Sequence, residues 1–230
     1  MKYYITNPDL DNHIAEIRRK IRLSMNGIVS DQMTQNGIIY KKNYGVAIPR
    51  IKEISKSYTP NHDLAQRLWD LQIRETMIMA TLLEPIDKFT DEIAQKWMET
   101  FSQIEIIEQS CMNLFCKLPS AVSLSIKWIQ SDKSWNQITG CILAARIYDK
   151  FNGNEITDVI QKCLELSDTN NLHLYKAITL CLSRCCRKDK QVATYILKEI
   201  EAFSASSLIS QQYIYNEVKQ EILFLDDLEQ

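Results

Sequence analysis

Apolar residues recur at three- and four-residue steps along almost the whole chain, the spacing of helical faces rather than of strands. Asn7-Pro8-Asp9 opens a first stripe of Leu10, Ile14, Ile17, Ile21, Met25 and Ile28. Met25-Asn26-Gly27 breaks it before a shorter helix that ends near Asn36-Gly37. Gly45 and Pro49 set a turn, and Ile48, Ile51 and Ile54 give the next buried stripe. Asn61-His62-Asp63 caps a segment carrying Leu64, Leu68 and Leu71. Residues 73–84, IRETMIMATLLE, are apolar on nearly every side, as buried helices are, and Pro85 stops them. Thr90-Asp91 opens a helix with Ile93, Trp97 and Phe101, and a break near Ser102 leads into the start of another. Pro119-Ser120 starts AVSLSIKWIQ, followed by helices over 134–150, 155–166, 172–187, 189–202 and 207–225 and an acidic tail, Asp226-Asp227-Leu228-Glu229.

No segment alternates with a period of two. With five Gly and five Pro in 230 residues, the chain lacks the turn-formers that a sandwich or barrel of short strands needs. About a dozen helices with short links predict an all-α protein: an α-solenoid, or superhelix, of HEAT/ARM-like antiparallel helix pairs, whose units run about 40 residues. A compact helical bundle is the alternative packing. Residues 1–230 are expected to form one domain.

Charge narrows the partners. The formal net charge is −2 and the pI about 6.0, less basic than most nucleic-acid binders. Yet residues 1–60 hold ten Lys and Arg against five Asp and Glu, a bias found nowhere else in the chain. If a phosphate backbone is touched, Lys41, Lys42, Arg50, Lys52 and Lys56 are the candidates, and Trp135 adds a candidate aromatic. The other basic run, Arg18, Arg19, Lys20 and Arg22, reads first as a solvated face, with a phosphate contact as the alternative. No apolar run is long enough to span a membrane, and the opening MKYYITNPDLDNH lacks the apolar core of a signal peptide. Together with an odd number of cysteines, seven, this predicts a cytoplasmic chain with reduced thiols.

Candidate chemistry is sparse. The cysteines form no C-x-x-C, the three histidines (His13, His62, His173) are isolated, and no metal or cofactor is expected. The histidines read as surface or cap residues, and the thiols as small buried hydrophobes. Arg184-Cys185-Cys186-Arg187 would lower a thiol pKa if it were exposed. Trp69, Trp97, Trp128 and Trp135 sit on or beside apolar stripes and read first as core. Glu105 and Glu108, three residues apart among Ile104, Ile106, Ile107, Cys111, Leu114 and Phe115, are the remaining candidates. They are either an acid pair in an apolar setting or a solvated first turn favoured by the helix dipole.

Three ordered blocks carry a family resemblance. YGVAIPRIKEI (44–54), LAQRLWDLQIRETMIMATLLE (64–84) and KWIQSDKSWNQITGCILAAR (127–146) resemble the corresponding segments of the AlkD-like DNA alkylation-repair proteins. YKAIT (175–179) falls where that family has a Q-K-A-I-G segment, so the likeness spans roughly 40–200. It implies HEAT-like repeats, and in active members excision of cationic N3- or N7-alkylpurines from double-stranded DNA. There a carboxylate stabilises the oxocarbenium-like sugar, aromatic faces favour the cationic base and an arginine holds the backbone.

Carried over by position, the resemblance places the catalytic aspartate at Glu108 and its neighbouring acid at Glu105. The family's flanking tryptophan falls on Ile104, its arginine on Ile138 and its second stacking tryptophan on Leu180. Ile and Leu offer no π face and no phosphate contact. Arg146 and Arg184 lie within about two turns of vacated positions. The resulting expectation is a DNA-binding or damage-recognising member with base excision lost. The alternatives are an active alkylpurine glycosylase using Glu108 and a non-enzymatic protein-interaction scaffold. Partners are then alkylated or structured duplex DNA, or another protein, with a monomer presumed.

Overall fold

The computed structural model describes residues 7–228. Among them are thirteen α-helices. They are α1 (Pro8–Leu23), α2 (Gly27–Gln35), α3 (Ile48–Ser55), α4 (His62–Asp70), α5 (Arg74–Leu83), α6 (Asp91–Met98) and α7 (Ile104–Asn113). Then come α8 (Ala121–Ile129), α9 (Ser134–Arg146), α10 (Gly153–Glu165), α11 (Leu172–Cys185), α12 (Lys190–Ile200) and α13 (Ile209–Leu228). The described residues hold no strand; a lone parallel bridge joins Lys42 to Ile73. No helix among them is long and apolar enough to cross a membrane.

Side-chain caps do much of the punctuation that glycine and proline would otherwise supply. Asn7, Asn26, Asn61, Thr90, Asn152, Asn171 and Asp189 each accept a backbone N–H in the first turn of the helix they precede. Each such cap is worth about 1 kcal/mol. Asn152 and Glu155 bond reciprocally in a capping box, which starts α10 two residues before the expected 155. The stretch 134–150 is not one helix. Buried Ile147 bonds back to the Ala144 carbonyl at 3.2 Å, α9 ends at Arg146, and Tyr148–Lys150 form a separate 3-10 turn. At the C-terminal end α13 runs past 225 to Leu228; Glu229, last of the acidic tail, lies outside the described residues.

The chain divides into two compact units, Met1–Leu114 and Phe115–Gln230. In the first, α5 is buried on nearly every side, as its composition predicts, and packs against α3, α4 and α7. Beside it Trp69 and Trp97 stack at 3.8 Å with rings 5° apart, and Phe101 and Phe89 meet them edge-on. Trp97 Nε1 donates to Gln66 Oε1 and Trp69 Nε1 to Thr100 Oγ1, so both buried indoles are satisfied. In the second unit α9 packs between α8 and α11, and α11 packs against α13. Gly140 permits the α8–α9 approach: a Cβ there would stand 2.6 Å from Ile129 N. Trp128 is buried against Phe115, whereas Trp135 is half-buried and lies with its ring near that of His173.

The free thiols pack as small hydrophobes, with six of the seven buried. Cys186 is among them, and burial pushes its thiol up to about 12, the reverse of activation by flanking arginines. Arg187 pairs with Glu221 instead. His62, in the first turn of α4, has its Nδ1 2.6 Å from Glu84 Oε1.

Candidate functional site

The chemistry-bearing residues of the first unit converge where the loop 38–46 meets the starts of α5 and α7. Arg74 opens α5 and is 4% exposed; Glu75 follows it and is fully buried. A charged pair at the head of an otherwise apolar helix survives burial only if each charge is bonded. Arg74 Nε donates to Glu105 Oε2 at 2.7 Å and Nη2 to Glu105 Oε1 at 2.6 Å, a bidentate fork. Its Nη1 donates to Glu75 Oε1 at 3.0 Å and to the Val46 carbonyl at 2.8 Å. Burial pulls the Arg74 pKa down, but the bonds and charges of Glu105 and Glu75 outweigh it and hold the guanidinium above its ordinary value.

Glu75 turns its carboxylate to the loop and accepts the N–H groups of Tyr44 and Val46. Tyr40 OH donates to Glu105 Oε2 at 3.0 Å, and burial, then the Glu105 charge, pushes that phenol's pKa up. Four further bonds hold the loop: Gln103 Nε2 to the Ile39 carbonyl, Ser30 Oγ to the Asn43 carbonyl, Asn26 N–H to the Tyr44 carbonyl and Arg74 N–H to the Lys42 carbonyl. Gly45, at φ +67, closes on Asn26 so tightly that no larger residue fits.

Glu105 is therefore bonded to the Arg74 guanidinium and the Tyr40 phenol. Glu108, one turn on, is exposed, and Ile104 is half-buried in the first turn of the same helix. Ile138 is 1% exposed in the core of the second unit, and Leu180, on α11, is half-buried. Arg146 is exposed at the end of α9 and Arg184 half-buried on α11.

The basic candidates divide. Lys41 and Lys42 are exposed on the pinned loop, and Lys42 Nζ lies 4.9 Å above the Tyr44 ring. Arg50, also exposed, is committed to Glu53 at 2.7 Å and to Ser24 Oγ at 3.1 Å. Lys52 and Lys56 lie one turn apart on or just past α3, half-buried and exposed respectively. Trp135 belongs to the second unit, where its ring centroid is 6.2 Å from that of His173 at 24°. No group of three or more His, Cys, Asp or Glu among the described residues could hold a metal ion.

Residues 17–209 match the model of the DNA alkylation repair enzyme family. The chain belongs to that family. A solved structure described as a new family of proteins related to the HEAT-like repeat DNA glycosylases with affinity for branched DNA structures aligns over 91% of this chain and 95% of that one. The TM-score is 0.76 at 14% identity, which shows a shared HEAT-like fold. An engineered protein (TM-score 0.42, 12% identity, 76% of this chain and 84% of that one) and a designed armadillo repeat protein (0.37, 13%, 76% and 92%) are more distant. No curated protein matches the chain.

Arg74-Glu75 lies inside the block 64–84 that carries the family resemblance, but the sequence alone assigns it no place in a site. Its signal is present in the sequence: two adjacent charges in a helix with no polar face need internal partners. What the sequence does not carry is which partners, because Tyr40, the loop backbone and Glu105 lie about 30 residues away in either direction.

Proposed function

We propose that this family member binds duplex DNA at branched or otherwise distorted sites and does not excise bases. The observation that carries the second half is the loss of the family's stacking and clamp groups, and the engagement of Glu105, the acid one turn before the aspartate position, adds to it. An acid tied bidentately to a buried arginine and capped by a phenol is neither a free base nor available to stabilise a cationic sugar. Aliphatic residues at Ile104 and Leu180 and the burial of Ile138 leave the resemblance's stacking faces and phosphate clamp without counterparts at those positions. DNA binding is supported by the family, by the exposed Lys41-Lys42 pair, and by a structural neighbour described as having affinity for branched DNA.

A second reading, alkylpurine excision through Glu108, is favoured by one observation: that carboxylate occupies the family's aspartate position and is exposed. The two separate cleanly. Gel-shift titration of a four-way junction and a linear duplex of equal length is expected to show tighter binding of the junction, weakening steeply with salt. Methylated duplex incubated with the protein is expected to release no 7-methylguanine or 3-methyladenine. Release abolished by Glu108→Gln would establish the glycosylase and sink the proposal. Failure to bind either DNA at about 50 mM salt would remove nucleic acid altogether and leave a protein-interaction scaffold.

A further inference from the structure

We infer that Glu105, the acid one turn before the position the family resemblance gives to the catalytic aspartate, is a positioning residue that fixes the Lys41-Lys42 loop for contact with DNA phosphates. The inference rests on the DNA-binding reading above and deepens it by naming a phosphate-contacting segment and the device that holds it.

Residues 38–46 have no regular structure apart from the bridge at Lys42, so their backbone groups must find partners elsewhere. Side chains of α5 and α7, with Gln103 just before α7, supply many of them. Glu75 accepts from Tyr44 and Val46, Arg74 donates to the Val46 carbonyl, Gln103 to the Ile39 carbonyl. Arg74 can serve the loop only while its other donors are satisfied, and Glu105 takes two of them. Glu105 also reaches the loop directly through Tyr40, immediately before the two lysines. Lys41 and Lys42 thus stand on a backbone held on both sides while their own side chains remain in solvent. Buried ion clusters are seldom worth their desolvation in stability alone. Ordering a charged loop in advance has a separate return: the entropy of fixing it need not be lost on binding.

The sign of the expected effect discriminates. Were Glu105 merely a negative charge near a polyanion, removing it would tighten DNA binding. As a positioning residue its removal weakens binding, although no basic residue has changed. The experiment measures binding of a four-way junction and a linear duplex against salt concentration for the intact protein and four variants. These are Glu105→Ala, Glu105→Gln, the double variant Lys41→Ala/Lys42→Ala, and Glu99→Ala, at an exposed position after α6, as a surface control. Each DNA phosphate that the protein no longer neutralises lowers the magnitude of the log–log salt slope by about 0.9. The double lysine variant is expected to leave about two phosphates without a cation, and Glu105→Ala to approach the same slope with both lysines present. Glu105→Gln, which keeps one acceptor for Arg74, is expected to fall between Glu105→Ala and the intact protein. It also gives the reading if the alanine variant does not fold by circular dichroism. Tighter binding, or weaker binding with an unchanged slope, in both Glu105 variants overturns the positioning role while DNA binding stands. If the intact protein binds neither DNA, the DNA reading fails and this inference falls with it.

Discussion

Replacing Gly45 by alanine tests the loop at its tightest point. Gly45 has φ +67, a conformation that costs an L-residue roughly 1–2 kcal/mol. Its added Cβ would meet the Asn26 carbonyl oxygen at 2.2 Å and Ser30 N at 2.8 Å. Both are backbone atoms at the start of α2, and neither can swing aside as a side chain would. Overpacking of this kind costs about 1–3 kcal/mol. The lower entropy of an unfolded alanine does not rescue the variant, because the native conformation is one alanine avoids. The sum is a destabilisation of about 2–5 kcal/mol. Gly37→Ala is the internal control: its φ is +80, yet nothing lies within 4 Å of the added Cβ. It should therefore show the conformational cost without the collision, about 1–2 kcal/mol. Urea titrations followed by circular dichroism measure both, and the difference between them is the steric part. Because the collision separates Asn26 from the Tyr44 carbonyl it bonds, Gly45→Ala is also expected to lower DNA affinity under conditions where it remains folded. Equal costs for the two variants, or a Gly45→Ala loss below about 0.5 kcal/mol, would refute the close seating of this loop on α2.

Three further outcomes are expected. Trp135→Ala should weaken junction binding more than duplex binding, by about 1–3 kcal/mol if the half-buried ring beside His173 stacks on an unpaired base; equal loss on both DNAs in parallel gel shifts would assign the ring to packing. Glu84 is held above its ordinary pKa, chiefly by burial, despite bonds from His62 and Gln66. The folded state thus binds that proton more tightly, so Glu84's contribution to stability is greatest below the unfolded carboxylate pKa and declines as pH rises through the raised value. Glu84→Gln should remove that component from urea midpoints taken between about pH 4 and 7, and an unaltered pH profile would contradict the assignment. Gly140→Ala should destabilise by about 1–3 kcal/mol through collision with Ile129 N and the Ser125 carbonyl, against a gain of about 1 kcal/mol in helix propensity. A net gain on thermal unfolding would mean that α8 and α9 do not pack so closely.

The helices were legible because their signals are local. Stripes such as Ile51–Ile54 or Leu64–Leu68 and caps such as Asn61 and Thr90 are decided within one or two turns. Errors of extent arose where a tertiary demand overrode the local pattern. Ile147 continues the apolar run of α9, but its burial tightens the chain into a 3-10 turn there. Asn152-Gly153 looks like loop composition, yet with Glu155 it makes a start signal.

The acids show the limit more sharply. By composition and spacing Glu105 and Glu108 are alike, both glutamates on α7 adjacent to isoleucine, and only the family resemblance gives them different positions. Folding distinguishes them by what lies across the helix, seating Glu105 against Arg74 and Tyr40 and leaving Glu108 exposed. Periodicity predicts that two residues share a face but not what the face meets. Arg74 held the missing information. A buried guanidinium with several donors requires more than one acceptor, and the adjacent Glu75 is already bonded to the loop. Further acceptors had to complete the set, and Glu105 and the Val46 carbonyl supply them. The same reasoning makes Arg74→Lys a non-conservative change. Lysine could not span Glu105, Glu75 and the Val46 carbonyl with a planar fork, so the loop would loosen although the charge remained.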